Sequence, residues 1–111
     1  FAPRFYSNSK LTYSVDGQNF ETKTAEDIWQ EWYERYFTFV RTNADVIRAV
    51  AYINTNWDTQ PMWGPPYPNG YWGDSRVQAN ELILDRWLAE IDQDFWLKAS
   101  PELFEILNYT P

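Results

Sequence analysis

Apolar positions recur at helical spacing across residues 24–43: Ile28, Trp29, Trp32, Tyr33, Tyr36, Phe37 and Val40 fall on one broad face. Thr24 followed three residues later by Asp27 resembles a capping arrangement, and Glu26 and Asp27 stand where carboxylates complement the helix dipole. The helix therefore starts at Thr24 and ends near Asn43. Glu26, Gln30, Glu31, Glu34, Arg35 and Arg41 lie mostly on the opposite side and read as a solvated face. The pattern then changes. Residues 46–54 are a nearly continuous apolar run with β-branched members, interrupted by Arg48, which fits a strand covered on both sides and hence a parallel sheet. Helical spacing returns after residue 80, where Asn80 can cap a helix carrying Leu84, Trp87, Leu88, Ile91 and Phe95. Ser100, Pro101 and Glu102 supply an N-cap, a first-turn proline and a first-turn acid for a short helix over 103–107. Near the start, Leu11, Tyr13 and Val15 alternate ahead of Asp16-Gly17, a dipeptide that favours positive φ, and predict a tight hairpin running to Phe20. Residues 1–8 suit the end of a buried strand passing into a loop.

The order that results is strand end and loop over 1–23, helix over 24–43, strand over 46–54, long loop over 55–79 and helices over 80–111. This is an α/β pattern that matches about the last two units of a (β/α)₈ barrel, with the 46–54 strand as the eighth. Such a barrel takes about 250 residues, and this chain has 111. Two strands cannot close a sheet. The expectation is a single unit that forms the C-terminal part of a larger wheel and is incomplete by itself, with the remainder upstream. A start at Phe1 rather than Met fits a mature product, an excised domain or a fragment.

Composition narrows the chemistry. A net charge of −7 argues against nucleic acid and anionic membranes as partners, because the overall field repels both. No apolar run approaches the length of a membrane span. The absence of Cys and His removes disulfides, thiolate chemistry, imidazole metal ligands and histidine-activated nucleophiles, so no metal or cofactor is expected and any acid or base is a carboxylate. Aromatics make up 20% of the chain, far more than average usage leads one to expect. Burial accounts for those at helical spacing.

It does not account for residues 54–76, where Trp57, Trp63, Tyr67, Tyr71 and Trp72 crowd a loop together with Pro61, Pro65, Pro66 and Pro68. The loop leaves the end of the expected strand, the edge at which α/β folds place their ligands. Flat rings pack against the C–H faces of a pyranose while carboxylate and guanidinium groups hydrogen-bond its hydroxyls. Asp58, Asp74 and Arg76 supply such groups.

Tyr52-Ile53-Asn54 with Trp57-Asp58, then Pro61-Met62-Trp63, then Trp72-Gly73-Asp74-Ser75-Arg76-Val77, resembles the eighth-strand region of bacterial β-mannanase-like glycoside hydrolases of family 26 type. The segment from Trp29 to Phe37 shares the likeness, which extends over roughly residues 25–92. The resemblance implies a (β/α)₈ enzyme that cleaves β-glycosidic bonds with retention, using glutamates at the ends of the fourth and seventh strands. A retaining glycosidase needs two carboxyls about 5 to 5.5 Å apart. By this placement the acid/base lies far upstream and the nucleophile just before Phe1, so the chain holds no catalytic residue and is inactive alone. A polysaccharide or oligosaccharide substrate, mannan as the first guess, and an extracellular or periplasmic location are further implications.

On the same likeness Trp57 forms the floor of the subsite at the cleavage point, against the alternative of a core Trp that caps the barrel. Trp63, Tyr71 and Trp72 either extend the cleft to neighbouring sugars or pack the loop onto its scaffold. Asp58 is a candidate for sugar hydroxyls. Asp74 and Arg76 either do the same or tie the loop together across Gly73. Arg4, beside the expected nucleophile, would orient it and keep it ionised. The hairpin across 11–20 is not something the likeness requires. Two other readings use the same exposed rings without catalysis: a carbohydrate-binding module, and a protein-interaction domain whose aromatics anchor a partner.

Overall fold

The computed structural model describes residues 3, 6–7, 10–13, 21–67 and 72–109. Three short strands, β1 (Tyr6–Ser7), β2 (Lys10–Tyr13) and β3 (Glu21–Thr22), pair antiparallel in that order, with Tyr6 opposite Leu11 and Thr12 opposite Thr22. The described return strand of the expected hairpin is thus Glu21–Thr22, and the Asp16-Gly17 turn lies outside the described residues.

The chain next enters α1 (Ala25–Ile28), which continues through a π-helical segment (Trp29–Glu34) into α2 (Arg35–Thr42). A full capping box opens α1: the Asp27 N–H donates to Thr24 Oγ1 at 3.1 Å and the Thr24 N–H to Asp27 Oδ2 at 3.4 Å. The run closes at Asn43, whose side chain donates to the Phe39 carbonyl at 2.8 Å. The π segment was not legible in the apolar spacing. A π turn closes i to i+5, which brings residues four apart nearer to eclipse, and Trp29 stacks on Tyr33 with ring centroids 5.1 Å apart and planes at 10°.

After a 3₁₀ turn at Val77–Ala79, α3 (Glu81–Ile91) is capped by Asn80, whose Oδ1 accepts from the Ile83 N–H at 3.1 Å. The helix stops at Ile91. Phe95, expected on its face, lies beyond its end and 40% exposed, with the Arg41 guanidinium 4.6 Å from its ring centre. The final helix, α4 (Leu103–Ile106), begins after Glu102 without a side-chain cap, so Ser100 is not its N-cap. Ser100 contributes instead through its carbonyl, which accepts from the Leu103 N–H at 3.1 Å.

The core is the aromatic face foreseen for 24–43 closed against α3. Ile28, Trp29, Tyr33, Phe37, Val77 and Ile83 are buried, and Trp32, Tyr36, Tyr52, Leu84, Trp87 and Trp96 pack around them. Each fully buried side chain of this size contributes about 1.5–3 kcal/mol, so this one cluster dominates the stability of the unit. Ile83, fully buried, was not among the expected α3 positions. The supposed solvated face is also partly structural, since Glu26 pairs with Arg86 and Arg41 with Glu90, tying α1 and α2 to α3.

The strand expected across 46–54 is not among the described strands. Among the described residues no strand ladder is assigned to this segment, and Val46 (75%), Val50 (36%) and Ile53 (45%) are exposed. A parallel strand exchanges its N–H and C=O groups with neighbours on its edges. The Val46 and Ile47 N–H groups donate to the Asn43 carbonyl at 3.0 and 2.8 Å, in a turn that follows α2.

Candidate functional site

Residues 55–79 are organised from the neck outward. Asn56 and Asp74 form an antiparallel bridge, with the Trp57 N–H donating to the Gly73 carbonyl at 3.0 Å and the Ser75 N–H to the Thr55 carbonyl at 2.9 Å. Asp58 Oδ1 accepts from the Gly73 N–H at 3.0 Å. Gly73 has φ 68°, a value that a side chain disfavours, and this turn sends the chain back past Trp57. Asn54 locks the segment that enters the neck: its Oδ1 accepts from the Val77 N–H at 2.8 Å and its Nδ2 donates to Gln78 Oε1 at 2.9 Å.

Beyond the neck the rings gather. Trp57 opens one 3₁₀ turn (Trp57–Thr59), which Asn56 caps by accepting from the Asp58 N–H at 3.2 Å, and Trp63 closes the next (Pro61–Trp63). Trp63 is the hub: its ring centre lies 6.3 Å from Trp57, 4.8 Å from Trp72 and 6.4 Å from Tyr67, and Tyr67 meets Trp72 edge-on at 5.3 Å. Trp57, Trp63 and Trp72 are half-buried, and Tyr67 and Met62 are exposed. Tyr67 was counted among the loop's rings in the sequence but given no sugar-facing role, although its setting between Pro66 and Pro68 was the same signal that marked its neighbours. Tyr71 and Arg4 lie outside the described residues.

The charged residues separate by environment. Asp74 is buried, and its carboxylate accepts from Arg76 Nε at 3.0 Å, from Arg76 Nη2 at 2.8 Å and from the Arg76 N–H at 3.0 Å. The bond to Asp74 raises the already high guanidinium pKa, so Arg76 stays charged. Asp74 and Arg76 are thus engaged with one another. The guanidinium edge reaches the surface with 41% of its side chain exposed. The loop contains no glutamate. Among the described residues no group of three carboxylates could hold a metal ion, and no helix is long and apolar enough to cross a membrane.

Sequence reasoning missed the link between this loop and the core. Tyr33 and Tyr52 hold their hydroxyls 2.6 Å apart, and the Tyr52 hydroxyl donates to the Ser75 carbonyl, which leaves Tyr33 as the donor to Tyr52. Burial, the largest cause, pushes both phenols well above their ordinary value near 10. For groups that ionise to anions the sign is direct: stability is complete below pH 10 and falls as pH rises beyond it, because the unfolded phenols ionise before the folded ones. Alkaline unfolding monitored by circular dichroism should therefore begin near pH 10. Tyrosinate absorbance from this pair should appear with the loss of structure and not before it.

Comparison with known proteins adds a direction. No family model matches the chain. It is similar to β-1,3-xylanase TXYA of a Vibrio species, with 41% identity over 111 positions covering 97% of this chain and 24% of that protein. A β-1,3-xylanase of an Alcaligenes species is 40% identical with the same coverage. Both names give a xylanase in place of the mannanase expected from the motifs. The chain spans about a quarter of the length of the relatives it matches, and over that quarter it is similar to enzymes that act on β-linked polysaccharide.

Proposed function

We propose that this chain is the loop-bearing C-terminal portion of a secreted retaining glycoside hydrolase of (β/α)₈ architecture, acting on a β-1,3-linked xylan. Its part in the reaction is to seat the sugar. Trp57 carries the ring at the cleavage point, and Trp63, Tyr67 and Trp72 continue the apolar surface toward adjacent sugars. Asp58 and the outer edge of Arg76 offer polar groups at its border. The two carboxyls of the retaining mechanism lie elsewhere in the polypeptide. The observation that carries this reading is the four-ring cluster fixed on a hydrogen-bonded neck, in a chain similar throughout to part of two β-1,3-xylanases. The order of helix, apolar segment, loop and helix supports the barrel. So do the exposed Val46, Val50 and Ile53, which flanking strands would cover.

The test compares substrates. The complete polypeptide that carries this chain should release oligosaccharides from β-1,3-xylan faster than from β-mannan or β-1,4-xylan by an order of magnitude or more. Preference for mannan would restore the substrate suggested by the motifs alone. Inactivity on all three, with sugar binding retained, would favour a non-catalytic module.

A further inference from the structure

We infer that Tyr52, supported by Tyr33, is a positioning residue that sets the sugar-facing aromatic cluster through the backbone of Ser75. The inference rests on the reading of that cluster as a sugar platform, but its geometric basis is separate. Tyr33 is fully buried and fixed from three sides. It stacks on Trp29, and meets Trp32 edge-on at 5.0 Å and Trp87 edge-on at 6.4 Å. Tyr52 packs its own ring on Trp87 at 4.6 Å. Both phenol oxygens are therefore placed by the core, not by the loop.

From there a continuous path leads outward. Tyr33 donates to Tyr52 and Tyr52 to the Ser75 carbonyl, while the Ser75 N–H donates to Thr55, so this buried residue is held on both of its backbone polar groups. Asp74, next to it, is locked by Arg76, and Gly73 is held through its carbonyl by Trp57 and through its N–H by Asp58. The next residue is Trp72, which packs on Trp63. The hub of the platform thus stands a few bonds from an anchor set in the π-helical segment, a helix irregularity of the kind that often accompanies functional sites. Hydrogen bonds in series polarise one another, so the outer bond depends on the inner. Because both phenols remain protonated through the neutral range, the relay keeps its donors.

Three variants of the complete polypeptide test this: Tyr52→Phe, Tyr33→Phe and the double variant, each keeping its ring and losing a hydroxyl. With β-1,3-xylotetraose as substrate, Tyr52→Phe should raise KM about five- to tenfold, the loss expected for one interior hydrogen bond. It should leave kcat within about twofold, because the reacting carboxyls are not on this path. Tyr33→Phe should have a smaller effect in the same direction. The double variant should do no more than Tyr52→Phe, since the two bonds lie in series. The second readout needs no sugar: with 5-fluorotryptophan incorporated, the Trp63 and Trp72 resonances of the free Tyr52→Phe protein should shift or broaden while that of Trp29 stays. If the parent protein hydrolyses the tetraose and Tyr52→Phe leaves both KM and these resonances unchanged, the positioning role is overturned and the platform reading stands. If the parent does not bind the tetraose, the platform reading fails, and the fluorine spectra alone decide whether Tyr52 holds the loop. Full additivity in the double variant would overturn the series arrangement.

Discussion

Replacing Tyr33 by alanine lowers the stability of the protein by about 3–5 kcal/mol, the range for removing a large aromatic from a packed interior. Tyr33 is fully buried and its ring touches Trp29, Trp32, Tyr52 and Trp87, so truncation opens a cavity at the junction of the π segment, α3 and the loop support. It also leaves the Tyr52 hydroxyl without its donor. Urea denaturation of the complete polypeptide, followed by tryptophan fluorescence, measures the effect. Tyr33→Phe is the control, because it keeps the ring and should cost about 1 kcal/mol. If the alanine variant fell within that smaller range, the core would not centre on Tyr33.

On the proposed reading, replacing Trp57 by alanine should weaken binding of a β-1,3-xylo-oligosaccharide about thirtyfold, equivalent to ~2 kcal/mol, the size of a binding hot spot. The expectation follows from its position. Trp57 is half-buried and meets Trp63 edge-on, leaving ring surface for a ligand, while its backbone N–H closes the neck on Gly73. That backbone bond survives truncation, so the loop should keep its path and the loss should come from the ring. Calorimetric titration gives the affinity, and Trp57→Phe should recover part of it. A loss in the alanine variant that phenylalanine does not recover at all would place Trp57 in loop architecture and not at the sugar.

The helices were legible because their signals are local. The apolar spacing of Ile28 through Val40, the Thr24–Asp27 capping box and the Asn80 cap each depend on residues within a few positions of one another, and each has its counterpart in the structure. The 46–54 segment is harder to read, because strand formation is a property of neighbours. An apolar run states that it can be covered but cannot provide the cover. The π segment escaped because a one-residue change in hydrogen-bond offset barely alters which side chains share a face. The loop was recognised from composition, in its rings, prolines and lack of any regular period. Its internal order was not, since the Tyr52–Ser75 and Asn54–Val77 bonds join residues 23 apart. Asp74 and Arg76 illustrate the limit of motif reading: their spacing admitted either a ligand or a loop tie, and geometry shows each engaged with the other.

Hydrogen exchange on the complete polypeptide, with and without saturating β-1,3-xylobiose, tests the central claim most directly. Sugar seated on the cluster should slow exchange at the backbone amides of residues 57–67 and 72–76 and leave those of α4 unchanged. Turnover of β-1,3-xylan by a protein in which the sugar protects other segments and leaves this loop untouched would contradict it.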